Sequence, residues 1–229
     1  RGGDGRATLG SVLREYLISE AMAGLGIPTT RSLAIIKTGD TVQREKITPG
    51  AILVRTASSH IRVGTFQYAS DTQEISVIKA LADFVINHHF PELEQHNDKY
   101  VALLSEVINQ QAELVAQWML VGFIHGVMNT DNMSIVSETI DYGPCAFMDT
   151  FKPNRVFSSI DRNGRYAWDQ QANIAVWNLS RLAETLLPLL DLETESGVKV
   201  LEEQLAEFIP KFNFTLRQGM LKKFGFYQP

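Results

Sequence analysis

The chain has 229 residues, 45% of them hydrophobic and 21% charged, the balance of an ordinary globular protein with no repeat or low-complexity tract. Its net charge of −5 argues against nucleic-acid binding. No apolar run is long enough to span a membrane, and no signal-peptide pattern opens the chain. Cys145 is the only cysteine, so an internal disulfide is excluded and a reducing compartment fits. The charge is uneven: residues 1–70 hold nine Lys/Arg against five Asp/Glu, and the remainder twelve against twenty-one. A basic first third suits a polyphosphate better than a long nucleic acid. The chain opens on Arg1 rather than Met, so further residues are expected ahead of it.

In chain order, residues 7 to about 24 read as a helix with Leu9, Val12, Leu13, Tyr16, Leu17, Ala21 and Met22 on one broad face. Gly26-Ile27-Pro28 ends it. Strands are predicted at 32–38, 42–47 and 51–56, split by Gly39-Asp40 and Pro49-Gly50. From Glu74 the pattern turns helical: Ile75, Ile78, Leu81, Ala82 and Val85 share a stripe, with Lys79 and Asp83 turned away from it. Residues 99–123 form a long amphipathic helix anchored by Leu103, Val107, Leu114, Val115 and Trp118. A polar stretch at 149–172 reads as a long loop, and helices follow near 173–187, 196–208 and 214–224. The fold class is α+β, a small mixed lobe over residues 1–70 followed by a larger, mainly helical lobe over 71–229.

Chemistry concentrates just after the long helix, in His125-Gly126-Val127-Met128-Asn129-Thr130-Asp131-Asn132-Met133-Ser134 and Ile140-Asp141-Tyr142-Gly143-Pro144. Side-chain oxygens at Asn132 and Asp141 are the hard ligands Mg²⁺ prefers, and Mn²⁺ accepts the same set. Protein kinases place a catalytic loop after a long helix, then a metal-binding Asp at a Gly-containing turn. Against the phosphotransferase pattern His-Gly-Asp-x-x-x-x-Asn, His125, Gly126 and Asn132 match in register, but Val127 stands where the base belongs. A Val cannot accept a proton, so Asp131, beside the metal-binding Asn, is the candidate catalytic residue.

Longer stretches make a resemblance specific. Gly3-Asp4-Gly5-Arg6-Ala7, Leu13-Arg14-Glu15, Ser19-Glu20-Ala21-Met22, residues 25–31, Arg55, Ser59-His60-Ile61-Arg62-Val63-Gly64 and Gln117-Trp118 carry it first. Residues 121–134, Asp141-Tyr142-Gly143-Pro144, Gly164-Arg165-Tyr166 and Trp177-Asn178-Leu179 with Arg181-Leu182-Ala183 complete it, in order over most of residues 1–187. The chain resembles selenoprotein O, a family of pseudokinase-like protein adenylyltransferases.

That resemblance implies a protein-kinase-like fold that binds ATP turned around, so that AMP passes to a Ser, Thr or Tyr hydroxyl of a protein and pyrophosphate leaves. It implies Asp131 as proton acceptor, Asn132 and Asp141 as Mg²⁺ ligands, Asp4 and Gly5 against the nucleotide, and Arg55 and Arg62 on its terminal phosphates. Glu15 would pair with a phosphate-binding Lys from an upstream strand. That Lys, a Gly-rich nucleotide-binding segment and a redox-active C-terminal tail all belong to parts of the family that this sequence does not contain. The implied partners are ATP and protein substrates, with no nucleic acid and no membrane. The compartment would be cytoplasmic in a bacterium and mitochondrial in a eukaryote.

Plainer readings stand beside these. Asn129-Thr130-Asp131-Asn132 alone reads as a turn, and Arg55 and Arg62 alone as surface ion-pair partners. His125 reads as a structural hydrogen-bonding residue, Cys145 as a small buried one, and His88, His89 and His96 as exposed loop residues. Trp118, Trp168 and Trp177 read as core or interface packing. Two further functions are a phosphotransferase that moves the γ-phosphate, against which Val127 argues, and a non-catalytic nucleotide-binding pseudokinase.

Overall fold

A computed structural model of the chain describes residues 4–226. Ala7–Thr8 form a short strand, β1, and Thr8 caps helix α1 (Leu9–Gly24) by accepting from the Ser11 amide at 3.3 Å. The helix thus begins two residues after the predicted start, where its cap allows. Val12 and Met22 are buried on α1, whereas Leu13 and Leu17 face outward, because the helix packs on strands along one side only.

β2 (Arg31–Gln43) and β3 (Ile47–Thr56) make one long antiparallel hairpin in place of the three short strands expected. Gly39-Asp40 does not end a strand. It sits in a bulge, where the register shifts between Lys37 and Thr41 and Gly39 takes a φ of +83°. Pro49 stays inside β3 just past the end of β1, where β3 has a neighbouring strand on one side only. The sheet order is β1-β3-β2.

Helices dominate from Val63 on: α2 (Val63–Ser70), α3 (Ile75–His89), α4 (Lys99–Leu120), α5 (Gln171–Leu186), α6 (Thr194–Ala206) and α7 (Phe208–Lys223). Short α2, absent from the expected elements, packs on α3 and α5. Central to the core is α4, with Leu103, Val107, Leu114, Val115 and Trp118 all buried beneath α5, α6 and α7. Truncating one such leucine to alanine costs about 2–5 kcal/mol. On α3 the predicted stripe is buried at Ile78, Ala82 and Val85, and Lys79 pairs with Asp83 outside it. His88 and His89 lie in the last turn of this helix and not in a loop. Residues 148–167 hold no helix or strand, but the loop expected over 149–172 ends early, at a 3-10 turn (Trp168–Gln170) that leads into α5. Among the described residues no helix is long and apolar enough to cross a membrane.

Two features place the motif. Strands β4 (Phe123–Ile124) and β5 (Ala146–Phe147) pair antiparallel, Phe123 with Phe147 and Ile124 with Ala146, so residues 125–145 leave and return through one narrow base. Thr139, within that excursion, donates its amide to Pro28 O at 3.0 Å and accepts at its own carbonyl from the Thr30 amide at 3.1 Å. The sheet is thereby stitched to the helical body at the candidate site.

Candidate functional site

His125 and Gly126 shape the start of the excursion. Gly126 has a φ of +82°, and a Cβ there would lie 2.9 Å from the Pro144 carbonyl oxygen, so only glycine fits. His125 is fully buried, and its Nε2 lies 2.9 Å from the Ile140 carbonyl, one residue before Asp141. Burial holds its pKa below the usual value, against the opposing pull of the Asp141 carboxylate. A neutral imidazole donating from Nε2 meets that carbonyl, so the structural role expected of His125 is the one observed.

Asn132 closes a 3-10 turn, Thr130–Asn132, and donates its Nδ2 to the Val127 carbonyl at 2.9 Å. A carbonyl can only accept, so the amide group is oriented and its Oδ1 is left free. Asp141 takes a φ of +68°, a left-handed conformation that Asp tolerates better than most residues, and accepts the Gly143 amide at 3.3 Å. Neither Asp131 nor Asp141 forms an ion pair among the described residues, which leaves both carboxylates uncommitted to a cation. One amide oxygen and one carboxylate match a Mg²⁺ site completed by phosphates and water, since this ion uses few protein ligands. No group of three or more His, Cys, Asp or Glu that could hold a metal ion stands together among the described residues.

The turn carrying Asp131 is braced by the segment ahead of α2. Val63 donates its amide to Met133 O and Ile135 donates to Ile61 O, both at 3.0 Å, and Arg62 bridges Ser134 antiparallel. Arg62 therefore stands beside the Asp131–Asn132 turn. Its Nε is buried without a hydrogen-bond partner, and it has no carboxylate partner among the described residues.

Across the excursion, α1 and β3 supply the second group. Glu15 accepts from Arg55 at 2.9 Å through Oε2 and from the Tyr142 amide at 2.6 Å through Oε1. Burial raises its pKa, with Asp141 adding to the rise and Arg55 opposing it. Arg14 donates Nε to Tyr142 O at 3.1 Å and also reaches the Cys145 carbonyl. Cys145 is buried and its thiol is pushed up to about 11, chiefly by burial, so it is no nucleophile.

Asp4 and Gly5 lie at the β1 end of the sheet. Asp4 is held by a bidentate, exposed pair with Arg44, whose hydrogen bonds keep its pKa well below the usual carboxylate range. Ala7 pairs with Ala51, four residues before Arg55 on β3, or about 13 Å at the rise of a strand. The structure thus joins Glu15 and Arg55 to the residue after Asp141, and Arg62 to the turn of Asp131 and Asn132. Asp4 is occupied elsewhere, by Arg44.

Several supports were invisible as such in the sequence. Gln111 donates to Ser134 O at 2.8 Å, and Trp118 Nε1 donates to Thr139 Oγ1 at 2.9 Å. Gln171, fully buried, accepts the His125 amide and donates to Phe123 O, both at 3.0 Å, while Asn178 donates to Met128 O at 2.9 Å. Helices α4 and α5 therefore hold the excursion from beneath through polar side chains. Trp177 is not packing in the core. It is exposed, with the guanidinium of Arg165 4.6 Å and that of Arg181 5.4 Å from its ring centre.

Comparison with known proteins identifies the family. Residues 1–229 match the family described as "Protein adenylyltransferase SelO". The chain is 62% identical over 223 residues, 97% of its own length, to a protein of Shewanella denitrificans named protein nucleotidyltransferase YdiU. Proteins of the same name from Brevibacillus brevis and Clostridium botulinum (strain Alaska E43) are 60% and 57% identical over 227 residues, 99% of the chain. It covers 44% of the first of these relatives and 46% of the other two, so it spans about half their length. Over all of its own length, the chain belongs to the SelO family.

Proposed function

We propose that this chain is the core of a kinase-like protein adenylyltransferase, with the sheet and α1 forming the small lobe and the helices the large one. It moves AMP from ATP to a Ser, Thr or Tyr hydroxyl of a protein. The observation that carries this is Glu15, whose two carboxylate oxygens hold a candidate phosphate-binding arginine, Arg55, and the backbone next to Asp141. Arg55 and the backbone beside Asp141 are thereby tied to one carboxylate, which supports reading them as parts of a single phosphate and metal site.

In this reading the acceptor hydroxyl attacks the α-phosphorus, the bond between that phosphorus and the α–β bridging oxygen breaks, and pyrophosphate leaves with the electron pair. The hydroxyl proton passes to the Asp131 carboxylate. Arg55 and Arg62 bind oxygens of the departing phosphates, where planar guanidinium groups form paired hydrogen bonds. Asn132 Oδ1 and the Asp141 carboxylate would hold Mg²⁺ or Mn²⁺. When bound there, such an ion neutralises phosphate charge during the transfer. Val127 removes the ordinary kinase base, which favours this reading over γ-phosphate transfer.

The test uses the complete protein with ATP labelled separately at the α- and γ-positions and a protein acceptor. Label is expected on the acceptor from the α-position alone, and transfer only from the γ-position would overturn the reading.

A further inference from the structure

Gly64 occupies the second position of α2, directly against the turn that carries Asp131. A Cβ built on Gly64 would lie 2.2 Å from Asp131 Oδ1, 3.1 Å from its Cγ and 3.3 Å from its backbone nitrogen. The first distance is far inside van der Waals contact, so a Cβ cannot stand there unless something shifts. Gly64 itself is in the helix with no positive φ, so backbone conformation does not require a glycine here. Helix propensity in fact disfavours one. The space above its Cα is what the residue provides.

We propose that Gly64 is a positioning residue: its missing side chain makes the room in which the Asp131 carboxylate stands. This rests on the reading of Asp131 as proton acceptor. The frame around the pair is rigid. Arg62 bridges Ser134, and the hydrogen bonds from the Val63 amide to Met133 O and from the Ile135 amide to Ile61 O fix the register on both sides. Relief of a new methyl group therefore falls chiefly on the Asp131 carboxylate, the approach of 3.3 Å to the Asp131 backbone nitrogen being the smaller conflict. Such a rotation costs little stability but moves the proton acceptor, and a displacement of about 1 Å in catalytic geometry lowers turnover roughly 100-fold.

The experiment is a double-variant cycle in the complete protein: Gly64→Ala, Asp131→Ala and both together, read by melting temperature, kcat and KM for ATP. Gly64→Ala is expected to lower kcat about 100-fold with KM for ATP little changed. In the Asp131→Ala background the methyl group meets no carboxylate, so it should raise the melting temperature by on the order of 1–2 °C as alanine replaces glycine in a helix. In the wild-type background it should not. An equal rise in both backgrounds, or full activity of Gly64→Ala where Asp131→Ala is inactive, would overturn the proposal. Full activity of Asp131→Ala would instead sink the role of Asp131 itself, and the melting-temperature cycle would still report whether the methyl group and carboxylate compete.

Discussion

Glu15 holds Arg55 at 2.9 Å with one carboxylate oxygen and spends the other on the Tyr142 amide. It ties α1 to both β3 and the Asp141 loop. Replacing Glu15 by alanine strands a half-buried guanidinium and a backbone N–H together. Glu15→Ala should lower unfolding free energy by about 2–4 kcal/mol, measured by denaturant titration, and raise KM for ATP as Arg55 swings free.

We propose that Arg62 serves a ligand, a reading supported by its buried Nε, which has no partner among the described residues. Arg62→Met keeps much of the aliphatic stem and removes the orphaned nitrogen. Its melting temperature should equal or exceed that of the wild type, while KM for ATP rises at least about tenfold through the loss of a charge-assisted contact. Steady-state kinetics beside calorimetry would check both halves.

Gln171 serves the excursion with both ends of its amide, while fully buried. Gln171→Ala leaves the His125 amide and the Phe123 carbonyl unpaired and opens a gap beneath β4. A loss on the order of 3 kcal/mol follows, visible as a shifted denaturant midpoint, and activity should fall with it because His125 no longer fixes Ile140.

Away from the site, Asp83 gathers Lys79, Lys99 and Tyr100 and so joins α3 to α4. Burial alone would raise its pKa, but the hydrogen bonds from Lys79, Lys99 and Tyr100 hold it down to about 2 against an ordinary 3.8. A depressed carboxylate pKa stabilises the fold above the unfolded value, and that contribution disappears as pH falls from 3.8 through about 2. Its side chain is a quarter exposed, so solvent screening leaves a contribution of about 1 kcal/mol. The stability gap between wild type and Asp83→Asn should therefore be constant above pH 5 and close below it, followed by pH-dependent unfolding.

Much of the candidate site could be drawn from the sequence because its residues are neighbours there. His125-Gly126, Asp131-Asn132 and Asp141-Tyr142-Gly143 sit within a single excursion, and the narrow base of β4 and β5 keeps local spacing meaningful in space. Its supports were not legible. Gln171 and Asn178 act on backbone 46–50 residues away, and a helical glutamine or asparagine carries no periodic sign of its partner. Apolar period gave the helices well wherever both neighbours were present, as on α4. It misplaced Leu13 and Leu17, because an apolar face is written the same way whether or not the described residues cover it. Gly39-Asp40 and Pro49-Gly50 carry turn chemistry that a bulge and a one-sided strand absorb, so two long strands read as three short ones. Short α2 was hidden by the loop-like Ser58-Ser59-His60 ahead of it.

Most direct is a structure of the complete protein with Mg²⁺ and a non-hydrolysable ATP analogue. One ion should lie about 2.0–2.1 Å from both Asn132 Oδ1 and an Asp141 carboxylate oxygen, with the α-phosphorus facing Asp131. An ion that touches only one of the two, or a γ-phosphorus turned toward Asp131, would contradict the account.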